Sequence, residues 1–262
     1  ARGPGPGAGS PRPARAAQPG MGDSSSRAGD YACQEDDSES FCYNDDPIAT
    51  GFANGALTDT LIIFDWDDTI LPSTWMLREG LSLGEASRPT LEQRARLQQL
   101  ARRAARTLRT AKRLGCVVLV TNAERGWIEL SCHKFMPSLA PLLESLKIIS
   151  ARSSYETESV TSPVEWKCRA FENECCNFYG KANDGLRKRN VLSLGDSASE
   201  RSAVIITTKD MVNCRTKSLK FMEQPEIWEL QREHELINRC ITRIVGHDGN
   251  LDMRVQVPPP PQ

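Results

Sequence analysis

Residues 61–75 of the chain read LIIFDWDDTILPSTW. The first four residues form an apolar run of the kind that is typical of a fully buried strand. Three carboxylates follow within four positions, namely Asp65, Asp67 and Asp68. Because side chains two positions apart in a strand share a face, Asp65 and Asp67 are predicted to point the same way. A divalent cation would relieve their repulsion, and such oxygen ligands suit Mg²⁺; an acidic turn after a strand is the alternative interpretation.

Strand and helix patterns alternate along the rest of the folded part. Five apolar runs predict strands at 61–64, 116–120, 146–149, 191–194 and 219–222. Helices are predicted at 91–113, with Thr90 as the N-cap, at 124–136 and 199–209, and from Pro163 and Pro225 onward. This alternation predicts an α/β fold, a doubly wound parallel sheet with both faces covered by helices.

Composition divides the chain into three predicted parts. Residues 1–49 are rich in small and polar residues and then in acids, so we expect a disordered N-terminal segment there. Residues 50–246 hold the predicted folded core, and residues 247–262, which end in VPPPPQ, read as a Pro-rich tail. If translation starts at Met21, Gly22 matches the loose pattern for N-myristoylation.

The balance of charge and the cysteine pattern bound the class of protein. Lys and Arg number 33 against 34 Asp and Glu, which does not favour a general polyanion binder. The predicted helix 91–113 does carry a basic face that could hold a phosphorylated partner, RNA or anionic lipid, although a solvated face is the simpler interpretation. Few aromatics are interleaved, so there is no specific nucleic-acid signature.

The cysteine content and the absence of long apolar runs indicate the expected cellular location. The chain has nine cysteines without a repeating CxxC spacing, which favours free thiols in a reducing compartment, and we expect a cytoplasmic protein. No apolar run approaches 18 residues and no secretory signal pattern is present, so neither a transmembrane helix nor secretion is expected.

Ligand sites in a parallel sheet gather at the carboxyl ends of the strands. The predicted strands end in or directly before a set of polar residues: Asp65, Asp67, Thr121, Asn122 and Asp196. Lys167 lies on the first turn of the helix that begins at Pro163, close upstream of Asp196.

These residues form four motifs, and with them the chain resembles the haloacid dehalogenase-like (HAD-like) superfamily in its phosphatase branch. The first motif of that family, DxDxT, reads DWDDT at 65–69, and the second, an apolar strand ending in Thr or Ser, reads VVLVT at 117–121. The third, a single Lys, is best matched by Lys167, with Lys147 as the alternative. The fourth, GDxxxD or GDxxxE, reads GDSASE at 195–200. The resemblance covers about residues 55 to 245.

The resemblance implies a hydrolase of phosphoric monoesters that works through an aspartyl-phosphate intermediate. Asp65 would be the nucleophile, and Asp67 would protonate the leaving oxygen and then activate water. The phosphoryl group of the substrate would be bound by Thr121, Asn122 and Lys167.

The resemblance also implies a bound Mg²⁺ ion. Its expected ligands are the carboxylates of Asp65 and Asp196 and the backbone carbonyl of Asp67. Glu200 and Thr69 are expected behind these ligands, with Glu200 either supporting them or contacting the ion through a water.

Family members often carry a cap domain over the site, inserted after the first or the third strand. Here those insertion points offer only the predicted loops 72–89 and 150–162, which are too short to bury a core of their own. The resemblance therefore implies a member without a substantial cap, and an open site usually goes with large substrates such as phosphoproteins. The alternative function is a catalytically silent HAD-like scaffold that binds phosphate.

Overall fold

A computed structural model describes residues 59–180 and 187–258. The predicted N-terminal segment 1–49, Gly22 and the last four residues of the predicted tail lie outside this part. No helix within the described residues has the length and apolar character needed to span a membrane.

The fold is a six-stranded, all-parallel sheet flanked by helices. The strands are β1 Thr60–Phe64, β2 Cys116–Thr121, β3 Lys147–Ser150, β4 Arg189–Gly195, β5 Cys214–Lys220 and β6 Leu251–Arg254, in the order β3-β2-β1-β4-β5-β6. The helices are α1 Ser73–Arg78, α2 Leu91–Leu114, α3 Trp127–Phe135, α4 Ala140–Leu143, α5 Ala151–Tyr155, α6 Pro163–Tyr179, α7 Ala198–Thr208 and α8 Ile227–Gly246. A single 3₁₀ turn, Pro137–Leu139, precedes α4.

Strand β1 separates two apolar cores, because its side chains alternate between the faces of the sheet. Ile62 and Phe64 pack into a core with residues of α2, α3 and α8, whereas Leu61 and Ile63 pack into a second core with residues of α6 and α7. All five residues of β1 are buried. Because β1 is central and buried on both faces, its sequence is an unbroken apolar run. The predicted α/β architecture with a parallel sheet is confirmed, and it is consistent with a Rossmann-like doubly wound fold.

The order of the strands reverses beside β1. Strand β2 lies on one side of β1 and β4 on the other, so the chain winds outward in both directions from the centre of the sheet. In sheets of this kind the crevice outside the carboxyl ends of the strands at the reversal is where ligands bind. The residues that follow β1 and β4, Asp65 and Asp196, therefore lie at that crevice.

The long helix α2 begins where the sequence predicts it. The hydroxyl of Thr90 accepts a hydrogen bond from the backbone N–H of Gln93, and the Gln93 side chain accepts one from the backbone N–H of Thr90. This reciprocal pair satisfies two backbone donors that the helix itself cannot use. The predicted N-cap is confirmed. On the basic side of the helix, Arg103 pairs with Glu235 of α8 at 2.8 Å.

Two strand predictions need correction. The fifth strand is not 219–222 but Cys214–Lys220, whose sequence CRTKSLK is polar. Its backbone pairs with β4 and β6, and the buried ammonium of Lys217 is satisfied by Asn190 Oδ1 at 2.7 Å and the Val245 carbonyl at 2.8 Å. The sixth strand lies inside the segment 247–262 that the sequence assigns to a tail, and it pairs with β5 from Leu251 onward.

Two short helices also lie where loops are predicted. Helix α1 occupies part of 72–89, and α5 occupies part of 150–162. With six and five residues they are too short for an apolar period of 3.6 to repeat, so a periodic pattern does not reveal them.

A buried histidine links α8 to α2. His234 is fully buried, and its Nδ1 lies 3.0 Å from the hydroxyl of Thr107. Burial lowers the pKa of His234 from 6.5 to about 4, while the backbone of Thr69 acts in the opposite direction. The imidazole is therefore neutral in the folded protein at neutral pH, and it lies within the core.

This histidine should make the stability of the protein depend on pH. The unfolded chain protonates His234 near pH 6.5 and the folded chain only near 4, so the stabilisation is complete above pH 6.5 and is lost as the pH falls toward 4. Relative to His234→Leu, we expect wild type to lose about 3 kcal/mol of unfolding free energy across this window. The free energy of unfolding is measured by urea titration at several pH values from 7 to 4, with His133→Leu at an exposed position as the control. If the free energies of wild type and His234→Leu changed in parallel with pH, His234 would not be the group responsible.

Candidate active site

Asp65 is the residue at the centre of the site. Its backbone N–H donates to the carbonyl of Leu194 at 2.9 Å, which extends the pairing of β1 with β4 by one residue. The side chain is only 6% exposed. Burial raises the pKa of Asp65 well above its usual value, the ammonium of Lys167 opposes this, and the carboxylates of Glu200 and Asp67 add to it.

A tight turn follows Asp65 and gives the next acidic residues different surroundings. The backbone N–H groups of Ile70 and Leu71 both donate to the Trp66 carbonyl, at 2.8 Å and 3.0 Å. Asp68 sits in this turn at φ +48°, and its carboxylate accepts from the backbone N–H of Thr74 at 2.8 Å and from the Thr74 hydroxyl. Asp68 therefore anchors the start of α1, which separates its role from those of Asp65 and Asp67.

Lys167 lies between two carboxylates. Its ammonium is 2.9 Å from Asp65 Oδ1 and also contacts Glu200 Oε1, and the side chain is 1% exposed. Burial works against the charge of Lys167, but the carboxylates of Asp65 and Glu200 outweigh it and raise its pKa. Of the two lysines considered from the sequence, this one is in the site. Lys147 is the first residue of β3, so it lies at the amino end of that strand, away from the carboxyl ends that form the site. It pairs with Glu174 at 2.7 Å.

Glu200 reaches Lys167 because it folds back over the end of β4. Its Oε2 accepts from the backbone N–H and the hydroxyl of Ser197, at 2.9 Å and 2.6 Å, which caps α7. A Cβ on Gly195 would lie 2.2 Å from Glu200 Cγ, so only glycine leaves room for this path. Lys167 and the Ser197 bonds outweigh burial and lower the pKa of Glu200. Both oxygens of this carboxylate are therefore engaged within the protein.

The carboxylate of Asp67 accepts hydrogen bonds from Trp127 and Thr121, and the Ser73 hydroxyl also acts on it. The Thr121 hydroxyl donates to Oδ2 at 3.2 Å, and the indole N–H of Trp127 donates to Oδ1 at 2.9 Å. Burial raises the pKa of Asp67, and the bonds from Trp127 and Thr121 oppose it. The Thr121 hydroxyl itself accepts from the backbone N–H of Ala123 at 2.9 Å.

The remaining residues expected at the site are placed differently. Asn122 donates its side-chain N–H to the carbonyl of Pro163 at 3.2 Å, so it ties the end of β2 to the start of α6, the helix that carries Lys167. Thr69 is fully buried, and its hydroxyl has no hydrogen-bond partner among the described residues. Thr69 lies in the turn that follows Asp65. Its backbone forms a hydrogen bond that acts to raise the pKa of His234.

Three carboxylates at the crevice could hold a metal ion. One oxygen each from Asp65, Asp196 and Glu200 lie within 4.8 Å of one another, and no other such group of His, Cys or acidic residues is found in residues 59–180 and 187–258. Burial, with the charges of Glu200 and Asp68, raises the pKa of Asp196 to about 7. Asp65 Oδ1 is in contact with the ammonium of Lys167 and has no other hydrogen-bond partner among the described residues. A cluster of carboxylates is not by itself specific for a metal ion.

A cavity of about 320 Å³ opens beside Thr121 at the carboxyl edge of β2 and β3. Its walls include Arg125 and Gly126 from the loop before α3, together with the hydroxyls of Ser150 and Ser154. Of the cluster described above, Thr121 lines this space, and the acidic residues Glu124 and Glu129 also belong to its walls.

The sequence predicted most of this cluster but missed two of its contacts. The structure brings Asp65, Lys167 and Glu200 together and separately joins Asp67 to Thr121. The bond from Trp127 has no sequence signal, because a tryptophan at the start of a helix is more often part of the core. The capping bonds of Glu200 did have one, the S-x-x-E pattern at 197–200.

Comparisons of the chain with protein-family models, with curated proteins and with solved structures returned no match.

Proposed function

We propose that this chain is a Mg²⁺-dependent phosphatase of the HAD-like type, which hydrolyses phosphoric monoesters through an aspartyl-phosphate. The observation that carries the proposal is the contact of Lys167 with Asp65 at the carboxyl end of the central strand. A carboxylate that attacks an anionic phosphate needs positive charge beside it, and a fully buried lysine provides that charge at a fixed position. Asp67, two residues on, supplies a second carboxylate for proton transfer.

In this proposal each residue of the cluster has one task. Asp65 attacks phosphorus and forms the aspartyl-phosphate. Lys167 and the hydroxyl of Thr121 bind the oxygens of the phosphoryl group and stabilise the charge that they carry in the transition state. Asp67 protonates the leaving oxygen and then removes a proton from the water that hydrolyses the intermediate.

The residues present also fit Mg²⁺. Oxygens of Asp65 and Asp196 belong to one group of carboxylates within 4.8 Å, and burial raises the pKa of both, so a cation between them would lower the cost of holding both in the charged form. We propose these two carboxylates and the backbone carbonyl of Asp67 as the ligands. Glu200 stays behind them, because Lys167 and Ser197 already engage its oxygens. When bound, Mg²⁺ would neutralise charge on the phosphoryl oxygens.

We also propose that the site is open and accepts large substrates such as phosphoproteins. Among the described residues, the connection from β1 to α2 contains only the short helix α1, and that from β3 to α6 contains only α5. Neither segment is long enough to bury a core of its own as a cap domain would.

The proposal is tested with p-nitrophenyl phosphate in the presence and absence of Mg²⁺. We expect turnover that EDTA abolishes and excess Mg²⁺ restores, because an all-oxygen site selects a hard cation. Asp196→Ala should raise the Mg²⁺ concentration needed for half-maximal rate by about tenfold or more, since it removes one of two carboxylate ligands. Asp252→Ala, which removes an exposed carboxylate paired with Arg201, is the matched control.

Three outcomes would decide against parts of the proposal. Turnover that survives EDTA would remove the metal from the mechanism. A strict requirement for Zn²⁺ would contradict the ligand assignment. Binding of beryllofluoride with Mg²⁺, combined with no turnover of any phosphate ester, would favour the silent phosphate-binding scaffold.

A further inference from the structure

The indole of Trp127 holds one specific oxygen of Asp67. Its N–H donates to Oδ1 at 2.9 Å, while the Thr121 hydroxyl donates to Oδ2 at 3.2 Å. The two donors differ in what else they can do. An indole N–H can only donate, whereas a threonine hydroxyl has one hydrogen that it can give to any acceptor within reach.

Trp127 is fixed to the turn that carries Asp67 by a second set of contacts. Its backbone carbonyl accepts from the hydroxyl of Ser131 at 2.6 Å, and the same hydroxyl accepts from the indole N–H of Trp66 at 3.0 Å. Ser131 is fully buried. The first turn of α3 is thereby tied to the residue just before Asp67, so the indole and the carboxylate keep their relative positions.

The hydroxyl of Thr121 cannot serve Asp67 and a phosphate at once. Its oxygen accepts the backbone N–H of Ala123 at 2.9 Å, which restricts how the hydroxyl can turn, and it has one hydrogen to donate. Under the proposed function that hydrogen goes to a phosphoryl oxygen of the substrate. Asp67 Oδ2 then loses the hydrogen bond from Thr121, while Oδ1 keeps the one from the indole of Trp127.

We infer that Trp127 is a positioning residue that anchors Asp67 through Oδ1, so that Oδ2 is the oxygen that exchanges the proton. The inference rests on the proposed function and adds to it the choice of oxygen and the group that makes that choice. Substrate binding itself frees the reactive oxygen, because the phosphate takes the Thr121 hydroxyl away from it.

The proton balance of both steps runs through Oδ2. In the first step an oxygen of Asp65 bonds to phosphorus, the bond from phosphorus to the leaving oxygen breaks, and that oxygen keeps the electron pair and takes the proton from Oδ2. In the second step water bonds to phosphorus and gives a proton to Oδ2, and the bond to Asp65 breaks with its electron pair returned to the carboxylate. Asp67 ends protonated, as it began.

The test is Trp127→Phe, which keeps an aromatic ring and deletes the N–H. For an alkyl phosphate, whose leaving oxygen needs a proton, we expect kcat to fall about tenfold, the rate equivalent of one hydrogen bond to a charged group. KM should change less than about twofold, because Trp127 is not assigned to the phosphate. For p-nitrophenyl phosphate, the rate of the first p-nitrophenol burst should stay within about twofold of wild type, because that leaving group needs little protonation.

Trp228→Phe is the matched control, because it shortens another half-buried indole, on α8, and should leave all three quantities unchanged. Equal losses for the alkyl ester and for the burst would mean that Trp127 only maintains the fold, and they would overturn the inference, as would an unchanged kcat for the alkyl ester. If wild type itself shows no Mg²⁺-dependent turnover, the proposed function fails and the inference falls with it. If wild type is active and Trp127→Phe has the same kcat for the alkyl ester, the inference about Trp127 is overturned while the proposed function stands.

A spectroscopic measurement covers the case in which Trp127→Phe folds poorly. The chain has five tryptophans, so their indole N–H signals can be assigned in a ¹⁵N–¹H spectrum of the wild-type protein. Asp67→Asn should move the Trp127 signal more than the other four, because Trp127 is the indole that donates to Asp67 and the substitution changes its acceptor. A Trp127 signal that does not move in Asp67→Asn would overturn the inference.

Discussion

Asp65→Asn should abolish turnover and leave the protein folded. An amide cannot act as the attacking oxyanion, and loss of a nucleophile in covalent hydrolases costs up to about 10⁶-fold in kcat. The fold should tolerate the change, because burial already disfavours the charged form of Asp65 and Lys167 retains Glu200 as its partner. The measurements are steady-state turnover, thermal melting, and trapping of the aspartyl-phosphate by hydroxylamine in wild type but not in the variant.

The design of this experiment has two safeguards. Asp248→Asn makes the same chemical change at an exposed carboxylate that pairs with Arg215, and it should keep full activity. Mass spectrometry of the purified Asp65→Asn protein shows whether deamidation has restored any aspartate. A rate above a few per cent of wild type, without such restoration, would mean that Asp65 is not the nucleophile.

Asp67→Asn should have the second largest effect. General acid–base groups contribute typically about 10²–10⁴-fold, and the amide can neither give a proton to the leaving oxygen nor take one from water. The single carbonyl oxygen of asparagine can keep the bond from Trp127, and its NH₂ group can donate to the Thr121 hydroxyl, so we expect the surrounding structure to persist. The loss in the first step should be smaller for p-nitrophenyl phosphate than for an alkyl phosphate, and the aspartyl-phosphate should accumulate.

Rapid-quench measurements separate the two steps that this prediction combines. The burst phase reports formation of the aspartyl-phosphate, and the later linear phase reports its hydrolysis. Equal reductions in the burst rate for aryl and alkyl esters would count against Asp67 as the proton donor. Thr74→Val, which alters the bonds of the neighbouring Asp68 instead, is a control that should preserve both phases.

The sequence reveals the centre of the fold better than its margins. Strands β1, β2 and β4 are buried on both faces, so they appear as apolar runs that a reader can recognise. Strand β5 has the polar sequence CRTKSLK with a buried, hydrogen-bonded Lys217, and β6 is an edge strand with a largely exposed LDMR sequence, so neither has an apolar pattern. The apolar residues Phe221 and Met222 then draw the prediction for β5 past its true end.

The site shows a similar division between what a pattern can tell and what needs coordinates. Motif spacing placed Asp65, Lys167 and Asp196 at the crevice, because strand ends and helix starts in a parallel sheet meet at one edge. Spacing could not show that Asp68 caps α1 instead of joining Asp67, since both follow the strand within a turn. Nor could it show the bond between Trp127 and Asp67, which depends on how α3 is oriented after Gly126.

The two carboxylate oxygens of Glu200 connect the first turn of α7 with the charges at the crevice. Its Oε2 closes the first turn of α7 through Ser197, and its Oε1 holds Lys167 beside Asp65. Fraying of that one turn would release the carboxylate, leave the lysine with a single counter-charge and loosen the hold on its position. The heat tolerance of the reaction would then be set by the opening of one helical turn, which can occur at temperatures where the sheet is still intact.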